Sequence, residues 1–174
     1  MFIYNRMTDP IKERRIRYTN FSLPDFRYIP KLHKNHGKSE ELAEILEQKS
    51  PIVEFSEMTW QKSLIYLYAI DLFNYGYYWE VHEFLELIWN KKGKKSPIGI
   101  FIQGIIQISV ALLKMQQLNL NGLKLLTAKA LPNITSQSGI YLGINIGKFV
   151  EQINAFVNGE SKTPPFIELR FSND

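Results

Sequence analysis

Between Ile98 and Leu113 the chain sets apolar side chains on every side of a helix: Ile98, Ile100, Phe101, Ile102, Ile105, Ile106, Ile108, Val110, Leu112 and Leu113. A helix that is apolar all round must have neighbours all round, so this segment belongs at the centre of a bundle. Ser96 and Pro97 stand where an N-cap and a first helical residue belong, and the helix is predicted to run to about Gln116. The run is shorter than the ~20 residues that cross a bilayer and contains Gln103 and Gln107, which favours a buried core helix over a membrane span.

Other helices follow from caps and periodicity. Ser39 caps a short helix, Glu40 to Gln48, ended by Ser50-Pro51. Ser56 is read as the N-cap of a second helix that carries Trp60, Leu64, Leu67 and Ile70 on one side and stops at Asn74-Tyr75-Gly76. A third, about Tyr77 to Asn90, folds back on it as a helical hairpin. Further helices are expected from Asn121 to Leu131, before Pro132, and from Asn145 to Asn158, before Gly159. No segment alternates over strand length, so no strand is expected.

These readings predict an all-α, single-domain bundle of about five to six helices with an extended N-terminal arm. The chain of 174 residues, 45% apolar, suits one domain. The expected division is an arm over 1–38, a bundle over 39–160 and a tail over 161–174, the tail marked by Pro164-Pro165.

The arm is expected to be loosely attached and basic. It holds nine Lys/Arg (6, 12, 14, 15, 17, 27, 31, 34 and 38) against Asp9, Glu13 and Asp25, a net of +6, whereas the chain totals +4 and the remainder is therefore −2. A solvated surface is the preferred reading, with nucleic acid or another polyanion as the alternative partner. The segment Met1 to Arg17 lacks an apolar stretch behind a basic start, so a cytoplasmic location with no membrane partner is expected. Exposed aromatic surface would support a homodimer. There is no cysteine, so disulfides and thiolate sites are excluded and any metal must be held by His and carboxylates.

The chemistry-bearing run is Glu80-Val81-His82-Glu83-Phe84-Leu85-Glu86-Leu87-Ile88-Trp89. Val81, Phe84, Leu85 and Ile88 share its buried face, His82 and Glu86 lie one turn apart on the edge beside Trp89, and Glu80 and Glu83 are expected nearer solvent. An imidazole and a carboxylate at i and i+4 can share one divalent cation, as in the H-E-x-x-H frame. Without metal, Glu86 would orient His82 as an acid/base group. A third metal ligand would come from Glu83, Asp71, His33 or His36. Gln103 and Gln107 are expected to face the pair, since two amides buried without partners are costly. The competing reading is a structural His to Glu contact that sets the bundle register. Trp60 and Trp79 are read as packing.

The stretch from Asp71 to Trp89, with Phe101 to Gln107, resembles the bacterial and archaeal family called domain of unknown function 309. Its His-x-x-x-Glu-x-x-Trp signature is matched by His82, Glu86 and Trp89, its Leu-Phe-Asn-x-Gly by Leu72 to Gly76, and its Gln-Gly-x-Ile-Gln by Gln103 to Gln107. Arg27-Tyr28-Ile29-Pro30 resembles the arm of longer members, although this chain continues Pro30-Lys31 rather than Pro-Gly. The resemblance implies a small all-helical domain and a suggested metal site, without a reaction. It leads to two expectations. One is a metal-assisted hydrolase acting on an unknown small molecule, with His82 and Glu86 as metal ligands and Glu83 or Glu86 as the base. The other is a non-enzymatic binding or scaffolding module whose basic arm and Lys91 to Lys95 loop contact an anionic ligand.

Overall fold

The computed structural model describes residues 16–33 and 39–171. The described helices are α1 (Ser39–Lys49), α2 (Leu64–Asn74), α3 (Tyr78–Lys92), α4 (Pro97–Gln116), α5 (Leu120–Ile134) and α6 (Ile146–Val157). The all-round apolar segment becomes α4, whose Ser96 Oγ accepts the Gly99 N–H at 2.9 Å. By length and composition α4 could cross a membrane. In this fold it buries Phe101, Ile102, Ile105, Ile108 and Leu112 between α3 and α5, its principal neighbours. Gly104 permits the approach of α5, since a Cβ there would lie 2.8 Å from Ile134 Cδ1 and 3.0 Å from the Ile134 backbone nitrogen.

The helical hairpin of α2 and α3 turns through Gly76 at φ +78°, a conformation that favours glycine. Gln116, at the far end of α4, donates to the Gly76 carbonyl at 3.0 Å. This bond pins the open end of the α3–α4 pair, which closes at the other end through Gly93–Ser96.

Three local expectations are corrected. The second helix starts at Leu64 rather than after Ser56, because Ser63 is the residue whose Oγ accepts from a helical N–H, that of Tyr66 at 3.3 Å. Residues 56–62 instead fold into turns that press Trp60 onto Gly143, where a Cβ would come within 2.3 Å of the indole. The fifth helix passes through Pro132 to Ile134: the proline ring is exposed, and burial of Ile134 against Gly104 holds the last turn. A two-stranded antiparallel sheet also forms, β1 (Ile140–Tyr141) with β2 (Ile144–Asn145). Its turn residues Leu142 and Gly143 both have positive φ, as a tight hairpin requires, and strands of two residues are too short to show alternation.

The described arm, expected to be loosely attached, is bonded to the bundle. The Asp71 carboxylate is fully buried and accepts from Tyr18 N–H (2.7 Å), Thr19 N–H (2.9 Å) and Thr19 Oγ1–H (2.7 Å), with Arg17 Nε 3.1 Å away. Tyr68 Oη donates to the Ser22 carbonyl and Gln117 to that of Pro30. Downstream of α6, Ile167 and Leu169 are buried, and this segment reaches the arm directly: Leu169 N–H donates to Tyr18 Oη at 2.7 Å.

Candidate functional site on helix α3

Tyr78, Val81, Phe84, Leu85 and Ile88 form the buried face of α3, as the helical periodicity requires. One flank of that face carries Trp79, His82, Glu86 and Trp89, spaced three, four and three residues apart, so they follow one another along the helix. His82 Nε2 lies 3.8 Å from Glu86 Oε2, with side-chain exposures of 32% and 43%. That separation is too long for a hydrogen bond and leaves both groups reachable from solvent.

Aromatic rings enclose the N-terminal part of the flank. The Trp79 ring is 5.7 Å from His82 and 5.4 Å from Tyr28 of the arm, and His33 lies 6.1 Å from Tyr28. At the other end Lys94 Nζ sits 4.3 Å over the Trp89 ring. Trp79 Nε1, His82 Nδ1 and Trp89 Nε1 are buried without a hydrogen-bond partner among the described residues. Trp79, read from the sequence as packing, therefore joins the flank, and its i to i+3 spacing from His82 is the signal that could have found it.

The carboxylates beside this flank are used differently from the expectation. Glu80 is buried, not solvent-facing, and accepts the Tyr28 N–H at 3.2 Å. Asp71, a candidate third ligand, is enclosed by Arg17, Tyr18 and Thr19. Glu83 is half-buried on the outer side of α3. His33 Nδ1 accepts the Ile29 N–H at 3.1 Å, and His36 lies outside the described residues.

Counted back from the turn at Gly93–Ser96, the antiparallel hairpin sets Gln103 level with Glu86 and Gln107 level with His82. Both glutamines are half-buried. Gln107 does not turn to the pair as expected, because its Oε1 accepts from Asn133 Nδ2 of α5 at 2.9 Å.

A divalent cation at its usual ~2.0–2.2 Å from nitrogen and oxygen ligands can touch both His82 Nε2 and Glu86 Oε2 across 3.8 Å. Among the described residues no third His, Asp or Glu gathers with them. Two donors are one fewer than the three protein ligands of a usual open catalytic site, so the pair alone makes an incomplete metal site.

The model of a family described as a domain of unknown function (DUF309) matches residues 66–126, from within α2 to within α5, and supports the family assignment drawn from the sequence motifs. No curated protein and no solved structure matches the chain.

Proposed function

We propose that this DUF309-family chain works through the α3 flank as a His/carboxylate site for a small polar molecule, with metal-assisted hydrolysis as its chemistry. The observation that carries this reading is the reachable His82–Glu86 pair, 3.8 Å apart on an otherwise apolar helix edge. His82 Nε2 and Glu86 would hold a divalent cation, and the substrate would supply what the two-ligand set lacks. A cation so bound lowers the pKa of water and polarises a carbonyl or phosphoryl group. Glu83 or the second oxygen of Glu86 would take the proton, while Trp79, whose ring is 5.7 Å from the imidazole, would exclude bulk water from one side of it.

A second reading is favoured by the use of Asp71 and Glu80, which hold the arm rather than line the site. In it the family motif serves to dock segments, His82 braces α3, and the basic surface binds an anionic partner.

Metal content of untagged protein purified without chelator separates the two. Near-stoichiometric metal, reduced to background in both His82→Ala and Glu86→Gln with unchanged circular dichroism, supports the first reading. Absence of metal after loading with zinc, manganese or magnesium overturns it.

A further inference from the structure

The end of the bundle where α4 passes into α5 carries a feature that the α3 site does not use. Helix α4 closes with Asn119 N–H bonded to the Lys114 carbonyl and Leu118 N–H to that of Met115, the paired bonds of a Schellman motif. The left-handed position of that motif normally takes glycine or asparagine. Here it is Leu118, at φ +58°, and its side chain is 83% exposed. A leucine at this place is strained by its Cβ and solvated along its apolar surface, so neither the turn nor the core accounts for it.

A second turn with a positive-φ residue lies beside it. Gln117 Nε2 donates to the Pro30 carbonyl at 3.1 Å and so joins the helix end to the arm turn at Ile29–His33. In that turn Lys31 has φ +72° and the next residue, Leu32, is 65% exposed. Leu120 and Phe26 add exposed apolar surface nearby in the chain. Arg27, Lys31 and Lys114 belong to the same two turns or their flanks, with Asp25 as the acidic residue nearest them in the chain.

We propose that this end of the molecule is a docking surface for an anionic lipid bilayer, with Leu32 and Leu118 entering the headgroup region and the surrounding cations facing lipid phosphates and carboxylates. Three properties favour a lipid surface over a protein groove. The leucines sit in turns and are largely exposed, they are flanked by positive charge, and they do not form the helical or extended stripe that a folded partner reads. Association is peripheral and reversible, and it differs from the expectation of no membrane partner because turn-tip exposure is not encoded in hydropathy. It stands independently of any chemistry at His82.

The test is co-sedimentation of the full chain with 100 nm vesicles of phosphatidylcholine alone and of phosphatidylcholine with about 30% phosphatidylserine, at low and high salt. Binding is expected only to the anionic vesicles and is weakened by salt. Leu118→Asn combined with Leu32→Ser should reduce it about tenfold. Asparagine suits the left-handed position and Leu32 is exposed, so the double variant should melt close to the parent, and a drop in binding at an unchanged melting temperature does not come from misfolding. Failure to sediment with phosphatidylserine vesicles overturns the proposal, as does binding that the double variant leaves unchanged. If light scattering instead shows a dimer that the same substitutions dissociate, the surface belongs to a second copy of the chain and the lipid assignment falls.

Discussion

Asn74 grips the backbone of Ile167 from both sides: its Nδ2 donates to the Ile167 carbonyl at 2.8 Å and its Oδ1 accepts the Ile167 N–H at 2.7 Å. The residues are 93 positions apart and both are buried, so this amide stands in for a strand neighbour. Removing it in Asn74→Ala leaves a buried N–H and a buried carbonyl without partners and should cost about 2–4 kcal/mol in urea unfolding. Asn74→Asp keeps the acceptor but sets a carboxylate against the carbonyl, so it should be no better than alanine. A loss below about 1 kcal/mol for alanine would show that water substitutes for the clasp.

One turn earlier, Asp71 does for the arm what Asn74 does for the downstream segment. Its carboxylate gathers two N–H groups, one hydroxyl and the Arg17 side chain, all from residues 17–19. In Asp71→Asn the charge is lost and one oxygen becomes a donor facing donors. The arm should then open as a unit while the helices stay folded, because the other hydrogen bonds named for it, at Tyr18 Oη, Ser22, Tyr28 and Pro30, are single and scattered. Limited trypsin digestion should cut after Arg17 and Arg27 at least tenfold faster than in the parent, with little change in helical circular dichroism. Equal cleavage rates would place the arm's stability elsewhere.

How much of this was legible in the sequence depends on the range of the interaction involved. The α4 centre was readable because Ser96-Pro97 and an all-round apolar run act within one helix. The edge placement of His82 and Glu86 follows from the same helical geometry. The start of α2 was misread because Ser56 and Ser63 are equally good caps locally, and the packing of Trp60 on Gly143, far along the chain, selects Ser63. Glu80 was assigned to solvent because its partner is a backbone N–H of the arm, which has no periodicity to announce it. Gln107 was directed to His82 for a similar reason, since the competing Asn133 belongs to another helix.

The arm also sets an alkaline limit on stability. Tyr68 is buried beside Phe21 and Phe84 and donates to the Ser22 carbonyl at 2.8 Å, and burial pushes its hydroxyl up to about 12, partly opposed by Arg17. An unfolded tyrosine titrates near ~10. The folded state therefore holds the proton more tightly, so the contribution is complete below pH ~10 and is lost as pH rises from there to about 12. Tyr66, fully buried and also raised, steepens the fall in the parent protein. Tyr68→Phe removes one titrating group and one hydrogen bond. At pH 8 the variant should be about 1 kcal/mol less stable, because the Ser22 carbonyl loses its donor. By pH 11.5 that gap should close or reverse, since phenylalanine has no proton to lose. Urea unfolding of both proteins at the two pH values measures the change in gap, and parallel losses would mean that Tyr68 does not titrate with unfolding.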